Sequence, residues 1–252
     1  MSTDPRARFS DRVADYVRTR PGYPPEVLDL LRADCGLGSA SAAADVGAGT
    51  GIFTRVLLSS GAEVYALEPN AEMRAALTRA LDGTPRLHVL AGAAEHTTLP
   101  AASVDLIAAA QAFHWFRPQE TRAEFRRVLR PGGWVVLVWN TREERGFGAA
   151  YESLLKRFGT DYAQVDHRRV VREGLQGFFA PGGPRAAQFP YQQRFDLAGL
   201  RSRVMSSSFV PAPDHPQHEP LMRELEAAFS LHAHEGRVQL DYTTEVYLGR
   251  LA

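Results

Sequence analysis

A glycine-rich stretch is the part of the chain whose residue types point most directly to chemistry. Gly47, Gly49 and Gly51 alternate within residues 45–51, between a short run of small apolar residues and a segment with helical spacing. Glycine in such a loop allows a sharp turn and lets a ligand lie against bare backbone. Glu68 follows 17 residues after Gly51, at the end of a second apolar run. A carboxylate at that place accepts hydrogen bonds from ribose hydroxyls, so the two features together predict a nucleoside-binding site.

The spacing of the glycines distinguishes between the known types of nucleotide-binding loop. A dinucleotide fingerprint, G-x-G-x-x-G, needs glycine at position 52, where this chain has Ile52. The Gly-Lys-Ser/Thr sequence of a phosphate-binding P-loop is absent. These departures argue against a nicotinamide-dependent oxidoreductase. A glycine turn that binds no ligand stays open as the structural alternative.

The charge balance and the counts of reactive residues exclude several further classes. Lys and Arg total 29, Asp and Glu total 29, and the pI is 7.1, so electrostatics gives no reason to expect a nucleic acid or an anionic membrane as a partner. The only lysine, Lys156, argues against Schiff-base chemistry, and the only cysteine, Cys35, permits neither an internal disulfide nor a Cys-based zinc site. No histidine spacing fits a standard metal site, and no G-x-S-x-G elbow indicates a hydrolase.

The sequence shows neither the apolar core of a signal peptide near its start nor a window of about 18 apolar residues that could span a membrane. We therefore expect a soluble, cytoplasmic protein without a bound metal.

The elements that must position the glycine loop alternate between strand-like and helix-like patterns, which indicates a doubly wound parallel sheet. Apolar runs predict strands over residues 41–46, 63–67, 86–91, 103–109 and 134–139. Helical spacing predicts helices that begin at 25, 52, 70 and 118, with Asn70 as the N-cap of the third, and residues 130–133 read as a turn. Beyond residue 140 the pattern predicts helices over 147–158, 197–205 and 220–233, and strands over 187–195 and 238–248. Ligands of such sheets bind beyond the carboxyl ends of the strands.

The glycine loop resembles the E/D-x-G-x-G-x-G loop of class I S-adenosylmethionine-dependent methyltransferases. Residues 92–95, 99–100 and 103–107 are similar to the family's G-x-A-E, LP and S-x-D-x-I/V stretches, and residues 127–133 to its turn before the fifth strand. The sequence Q-A-F-H-W-F at 111–116 and residues 9–24 resemble the narrower trans-aconitate methyltransferase-like branch, methyltransferase type 11. The resemblance covers residues 9–140, and the rest of the chain matches by pattern only.

The resemblance implies a set of cofactor-binding residues. The glycine loop would approach the methionine part of S-adenosylmethionine, Glu68 would hold the ribose, and the segment after the third strand would flank the adenine. Many relatives carry Asp where this chain has Ala93, so one contact to the adenine edge would be missing or supplied by backbone. The residues implied in full are Tyr16, Arg20, Asp45, Gly47, Ala48, Gly49, Gly51, Glu68, Pro69, Ala94, Glu95 and Gln111.

His114 and Trp115 follow the fourth strand, where the resemblance places the methyl group. His114 could take a proton from an acceptor or hydrogen-bond it. Trp115 could contact the sulfonium by cation–π attraction. The alternative for both residues is pocket lining without proton chemistry, because methyl transfer mainly needs proximity and alignment.

The family implies a Rossmann-like α/β fold, a seven-stranded sheet of order 3-2-1-4-5-7-6 with the last strand antiparallel. We expect a single domain with a cofactor-binding core over about 36–140 and helical cap segments over 1–35, 145–185 and 197–235. The implied activity is methylation of a small molecule, with S-adenosylhomocysteine as the product and with a carboxylate or hydroxyl oxygen as the favoured acceptor. The alternative is a protein that binds the cofactor without methylating, such as a cyclase or a sensor. The acceptor and the oligomeric state are left open.

Overall fold

The computed structural model describes residues 20–160, 174–207 and 209–251. Its centre is a seven-stranded sheet of order β3-β2-β1-β4-β5-β7-β6. Strands β1 to β5 pair in parallel, and β7 runs antiparallel to both of its neighbours. This confirms the predicted order and the antiparallel last strand. The strands are β1 (Ala42–Val46), β2 (Glu63–Leu67), β3 (Leu87–Leu90), β4 (Val104–Ala110), β5 (Leu129–Arg142), β6 (Arg185–Phe195) and β7 (Val238–Gly249).

Helices connect the strands and form the cap. They are α1 (Pro25–Cys35), α2 (Ile52–Leu58), α3 (Ala71–Ala80), α4 (Pro118–Val128), α5 (Phe147–Phe158), α6 (Leu197–Met205) and α7 (His218–His232). Local sequence explains several of their ends. Proline at the first position starts α1 and α4, and Gly36 in the left-handed region ends α1. Asn70 caps α3 as predicted, since its side chain accepts hydrogen bonds from the backbone of Glu72 and Met73.

The core is divided by the sheet. On one face α4 and residues 175–179 cover the strands, with Phe125, Trp139 and Phe179 almost fully buried. On the other face α1 and α2 cover them, through side chains such as Val27 and Leu57. A third cluster joins α5, α6 and α7 to the ends of β6 and β7, and this cluster is the cap. Burying one Leu or Phe side chain stabilises the fold by about 1.5–3 kcal/mol.

Two sequence predictions need correction. Residues 130–133 are not a turn before the fifth strand but part of β5, which bulges there, because β4 pairs with Leu129 and then with Trp134. Helix α1, assigned above to the cap, packs on a face of the sheet instead, because Val27 and Leu31 are wholly buried against the strands.

Among the described residues, no helix is long and apolar enough to cross a membrane.

Candidate functional site

The glycine loop leaves β1 with three residues in the left-handed region, at φ +72° for Gly47, +58° for Gly49 and +88° for Gly51. A β-carbon on Gly47 would lie 2.7 Å from that of Ala112, and one on Gly51 would lie 3.0 Å from Leu77. These two glycines are required by packing. A β-carbon on Gly49 would meet nothing within 4 Å. Gly49 is therefore the glycine of this loop at which a ligand can lie against the backbone.

Glu68 connects the glycine loop to the loop after β2. Its carboxylate accepts a hydrogen bond of 2.8 Å from the Gly49 backbone and another of 2.8 Å from the Asn70 backbone. Burial raises the pKa of this carboxyl group. An ionised carboxylate has about four acceptor positions, so Glu68 can hold both loops and still accept ribose hydroxyls. Pro69 lies in the loop between Glu68 and Asn70, and its contact with the cofactor stays a prediction.

Asp45 is buried at the end of β1, next to the same loop. Its Oδ2 atom accepts a 2.6 Å hydrogen bond from the Thr54 hydroxyl, whereas its Oδ1 atom is buried without a hydrogen bond. Burial raises the pKa of Asp45 to about 7, and the nearby charge of Glu68 adds to this rise. The Thr50 hydroxyl, on the loop itself, is also buried without a hydrogen bond. The glycine loop and the end of β1 therefore contain one buried acceptor and one buried hydroxyl that make no hydrogen bond.

The segment after β3 forms a tight turn in which Ala93 and His96 exchange two backbone hydrogen bonds of 3.1 Å. Ala94, at the centre of this turn, is buried in the core. The Glu95 carboxylate accepts a 2.9 Å hydrogen bond from the backbone of Arg117, at the start of α4. The adenine contact inferred for Ala94 and Glu95 stays a prediction.

A polar clip that the sequence analysis missed fixes the same segment. Glu124 on α4 accepts hydrogen bonds of 2.8 Å and 2.6 Å from the backbone and hydroxyl of Thr97. Arg127 donates to Glu124 and to the Leu99 carbonyl. The Arg127 guanidinium is the main reason that the pKa of Glu124 falls to about 2, so the clip stays charged at neutral pH. Only contact across 27 positions of sequence makes these residues partners, and no local motif signals them.

The end of β4 brings the predicted catalytic residues to the same edge of the sheet. Gln111 adopts φ +57°, and its backbone donates a 2.8 Å hydrogen bond to Val138 of β5. A single turn of 3-10 helix (Phe113–Trp115) follows. Phe113 is buried in the core, whereas His114 and Trp115 are partly exposed, with ring centroids 4.8 Å apart. Ala112, beside this turn, is the residue that the backbone of Gly47 approaches.

The chain before α1 closes over the carboxyl end of β5. The Arg20 guanidinium donates a 3.1 Å hydrogen bond to the carbonyl of Ser206, just after α6. Asn140 donates a 2.9 Å hydrogen bond to the Gly22 carbonyl, and the Tyr191 hydroxyl accepts one of 3.2 Å from the Gly22 backbone. Arg20 thus joins the cap to the sheet edge, while its contact with the cofactor stays a prediction. Tyr16, also predicted to bind the cofactor, lies outside the described residues.

Asp105 and Cys35 are two other reactive side chains, and their surroundings indicate structural roles. Asp105 lies at the amino end of β4, where it accepts 2.8 Å hydrogen bonds from the Ala42 backbone and from Arg130. Burial, with the charge of Asp34, raises the pKa of Cys35 to about 12, so this thiol stays un-ionised. Among the described residues, no group of three His, Cys, Asp or Glu side chains is placed to hold a metal ion.

Fold and site together define a Rossmann-like nucleoside-binding protein, and comparison with known proteins specifies its class. The methyltransferase domain family (Methyltransf_11) matches residues 44–137. An uncharacterized methyltransferase of Mycobacterium tuberculosis is 44% identical over 244 residues, which are 97% of this chain and 96% of the relative. A malonyl-[acyl-carrier protein] O-methyltransferase of Serratia marcescens is 29% identical over 195 residues, 77% of this chain and 65% of that protein.

Solved structures agree with this class. A methyltransferase from Anaeromyxobacter dehalogenans is 25% identical and superposes with a TM-score of 0.66, over 92% of this chain and 97% of that one. A methyltransferase from Thiobacillus denitrificans, solved with S-adenosylhomocysteine, has the same fold at 13% identity and a TM-score of 0.51, over 95% of this chain and 97% of that one. The chain belongs to the class I S-adenosylmethionine-dependent methyltransferases and carries a Methyltransf_11 domain. It is a methyltransferase enzyme, and its methyl donor is S-adenosylmethionine.

The unused groups of the site fit this cofactor. The ammonium group of the methionine part is a cation, and Asp45 offers a buried oxygen that no other group of the described structure uses. The open face at Gly49 leaves room for the methionine chain, and Glu68 presents acceptors for the ribose hydroxyls. These assignments, with those of Ala48, Pro69 and Gln111, are our proposals for how the chain holds the cofactor.

We expect Glu68→Gln to weaken binding of S-adenosylhomocysteine by about 1–3 kcal/mol, roughly 5- to 150-fold, which is the scale of a lost charge-assisted hydrogen bond. Isothermal titration calorimetry measures the change. Glu63→Gln is the matched control, because Glu63 starts the same strand but contacts His88 at the surface. If both variants bind like the wild type, Glu68 does not contact the ribose.

Proposed function

We propose that the enzyme methylates a small organic acid or hydroxyl compound on oxygen. The observation that carries this proposal is the closure of the acceptor edge: Arg20 joins the chain before α1 to the end of α6, and Gly22 is held by Asn140 and Tyr191. A covered edge suits an acceptor that can be enclosed. The balanced net charge argues against nucleic acid as the acceptor.

Similarity supports oxygen as the accepting atom. The Serratia marcescens relative is an O-methyltransferase that acts on a malonyl group, which carries a carboxylate. A carboxylate oxygen needs no deprotonation before it attacks, whereas a hydroxyl must lose its proton during the reaction. Either acceptor requires in-line approach to the methyl group, so positioning supplies most of the rate enhancement.

The chain's own residues would then divide the work as follows. Bound S-adenosylmethionine supplies an electrophilic methyl group and leaves as S-adenosylhomocysteine. Asp45 and Glu68 hold the cofactor from the sides of the glycine loop, and Gln111 approaches its methionyl part. His114 hydrogen-bonds the acceptor and takes the proton when the acceptor is a hydroxyl. Trp115 forms a wall of the pocket. Core residues 36–140 and the cap segments 145–185 and 197–235 form one domain.

The test is a turnover assay with S-adenosylmethionine and a panel of dicarboxylic acids, hydroxy acids and phenols. We expect formation of S-adenosylhomocysteine together with an acceptor heavier by one methylene group, detected by mass spectrometry. Methylation of added nucleic acid or protein in place of every small acceptor would contradict the proposal.

We expect His114→Ala to reduce kcat by about 100-fold on a hydroxyl acceptor, the lower end of general-base effects, with less than a twofold change in the affinity for S-adenosylhomocysteine. On a carboxylate acceptor the loss is smaller, because no proton has to be removed. Steady-state kinetics on both acceptor types, with calorimetry beside them, separates the two effects. Unchanged turnover on both acceptors would return His114 to pocket lining.

A further inference from the structure

The cap contains a buried arginine that has no acidic partner in the described structure. Arg203, on α6, is 5% exposed. Its Nη1 group donates to the hydroxyls of Ser206 at 3.2 Å and Ser207 at 3.4 Å, and its buried Nε group makes no hydrogen bond. Among the described residues, no carboxylate comes within ion-pair distance of it. Burying an unpaired guanidinium destabilises the folded state, so we expect one only where another charged group balances it.

Two buried phenols lie beside this arginine. Tyr151 of α5 is 0% exposed and Tyr242 of β7 is 2% exposed. The Tyr151 hydroxyl makes no hydrogen bond, and the Tyr242 hydroxyl, which lies close enough to Arg203 to accept from it, donates to no group of the described structure. Arg203 and Tyr242 are both close enough to Tyr151 to act on it electrostatically. Burial raises the pKa of Tyr151, so its hydroxyl stays protonated and can donate. Three unused donors in one place are exceptional, because buried polar groups are almost always hydrogen-bonded.

A second arginine in the cap, Arg142, has a carboxylate partner that balances its charge. The guanidinium of Arg142, at the end of β5, is 4.7 Å above the centre of the Tyr151 ring and pairs with the buried carboxylate of Glu152. Arg142 is thereby neutralised within the protein. Arg203 pairs with no carboxylate of the described residues, so it contributes an uncompensated positive charge to the cluster.

The position of the cluster relates it to the acceptor edge. Tyr242 pairs with Arg142 across the β5–β7 ladder, four residues beyond Val138, whose carbonyl holds Gln111. Four residues of strand span about 13 Å. Arg20, which contacts the Ser206 carbonyl beside Arg203, also acts electrostatically on Tyr151. The cluster therefore lies at the carboxyl end of β5, close to the Arg20 contact and about 13 Å along the strand from the residue that holds Gln111.

We propose that Arg203, Tyr151 and Tyr242 form a carboxylate-binding site in the cap, which holds a carboxylate of the acceptor other than the atom that is methylated. One excess positive charge and two phenol donors match a singly charged, planar oxyanion, and the Nε edge of a guanidinium suits a carboxylate. This inference rests on the proposed function, because it takes the acceptor to be a small acid.

The first test measures binding of straight-chain dicarboxylates, from succinate to suberate, to the full chain saturated with S-adenosylhomocysteine. Their diamides serve as uncharged controls. We expect at least one dicarboxylate, and no diamide, to raise the melting temperature. Arg203→Met should weaken that binding at least about tenfold, and Tyr151→Phe or Tyr242→Phe about three- to tenfold. Arg201→Gln is the matched control, because Arg201 lies on the same helix and pairs with Glu226 at the surface.

The second test separates a binding role from a structural one without any ligand. If Arg203 serves to bind an anion, its charge is unbalanced in the ligand-free protein. Arg203→Met then replaces this buried charge with an apolar side chain, so the ligand-free melting temperature should stay the same or rise. If Arg203 stabilises the cap through Ser206 and Ser207, the same variant should melt several degrees lower. The two phenylalanine variants should likewise melt no lower than the wild type.

The outcomes distinguish this inference from the proposed function. Failure of every dicarboxylate to bind the wild type, or equal binding by Arg203→Met, overturns the site. Methylation of diacids with an unchanged KM in Arg203→Met also overturns the site while the proposed function stands. Binding of diacids through Arg203 without methylation of any acid or hydroxyl compound leaves the site standing and overturns the proposed function.

Discussion

Gly49→Leu is expected to weaken binding of S-adenosylmethionine and S-adenosylhomocysteine at least about 100-fold, a loss of roughly 2.7 kcal/mol, while the protein still folds. The reason is that the leucine side chain would fill the space of the ligand. A side chain at Gly49 meets no protein atom within 4 Å of its β-carbon, so it would extend into the space proposed for the methionine part of the cofactor. Calorimetric titration with S-adenosylhomocysteine, with circular dichroism as the check on folding, measures this effect.

Backbone strain has to be separated from this steric effect, because Gly49 has φ +58°, a conformation that costs leucine roughly 1–2 kcal/mol. Gly83→Leu provides the control. Gly83 has φ +68° and equally open surroundings, but it lies between α3 and β3, at the amino edge of the sheet. Both variants should lose similar stability, and only Gly49→Leu should lose the ligand. Wild-type affinity in Gly49→Leu would place the cofactor elsewhere.

The affinity for S-adenosylhomocysteine is expected to rise with pH, by about 10- to 100-fold between roughly pH 5 and pH 8. Asp45 has a pKa of about 7 in the ligand-free protein, mainly because it is buried. An ammonium group beside its free oxygen favours the ionised form, so binding must expel a proton below about pH 7, and each pH unit there changes the affinity up to tenfold. Glu68, whose pKa burial also raises, acts in the same direction.

Asp45→Asn isolates the contribution of this residue. The variant should bind more weakly at pH 8 and show a flatter pH profile, and the slope that remains should vanish when Glu68→Gln is added. Titrations in buffers with different ionisation enthalpies count the protons released. A variant with the wild-type pH dependence would show that Asp45 does not face the ammonium group.

The stability of the ligand-free protein should change with pH in the opposite direction. The folded-state pKa of Asp45 is raised from its ordinary value of 3.8 to about 7, so between these values the folded state keeps a proton that the unfolded state releases. The contribution of Asp45 to the free energy of unfolding is therefore fully present below about pH 4. It is lost as the pH rises through about 7, by an amount on the order of 4 kcal/mol at most. Asp45→Asn should lack this loss, which melting curves at several pH values would show.

Local patterns predicted those parts of the molecule that local physics determines. The alternation of apolar runs and glycine turns located the strands, and helices over residues 147–158 and 197–205 have the predicted bounds. Asn70 was recognisable as a cap because a cap needs only its own neighbours in sequence. The bulge at residues 130–133 was not recognisable, since it depends on how β5 pairs with β4.

The polar clusters were hidden for the same reason. Arg203 looks like any arginine on an amphipathic helix, and Tyr151 and Tyr242 look like core aromatics. Their partnership exists only after β7 inserts beside β5 and both α5 and α6 join the buried cluster that contains the start of β7. Glu124 and Thr97 are likewise partners through the packing of α4 alone. Residues that act through tertiary contact leave no periodicity or spacing in the sequence to find.

The position of β7 between β5 and β6 also determines the order in which two parts of the enzyme can fold. One part contains β1 to β5, and the other contains β6, β7 and the cap. Strand β6 pairs with β7 over 11 residue pairs and with no other strand of the described sheet, although it precedes β7 in the chain. It therefore has no place in the sheet until β7 has been synthesised and has closed the long loop that contains α6 and α7. Strands β1 to β5 find all their parallel partners among themselves, so these pairs can form before β6 and β7 have been synthesised. On the ribosome, the half that contains β1 to β5 and the glycine loop can form first, and the half that contains β6, β7 and the cap is completed last.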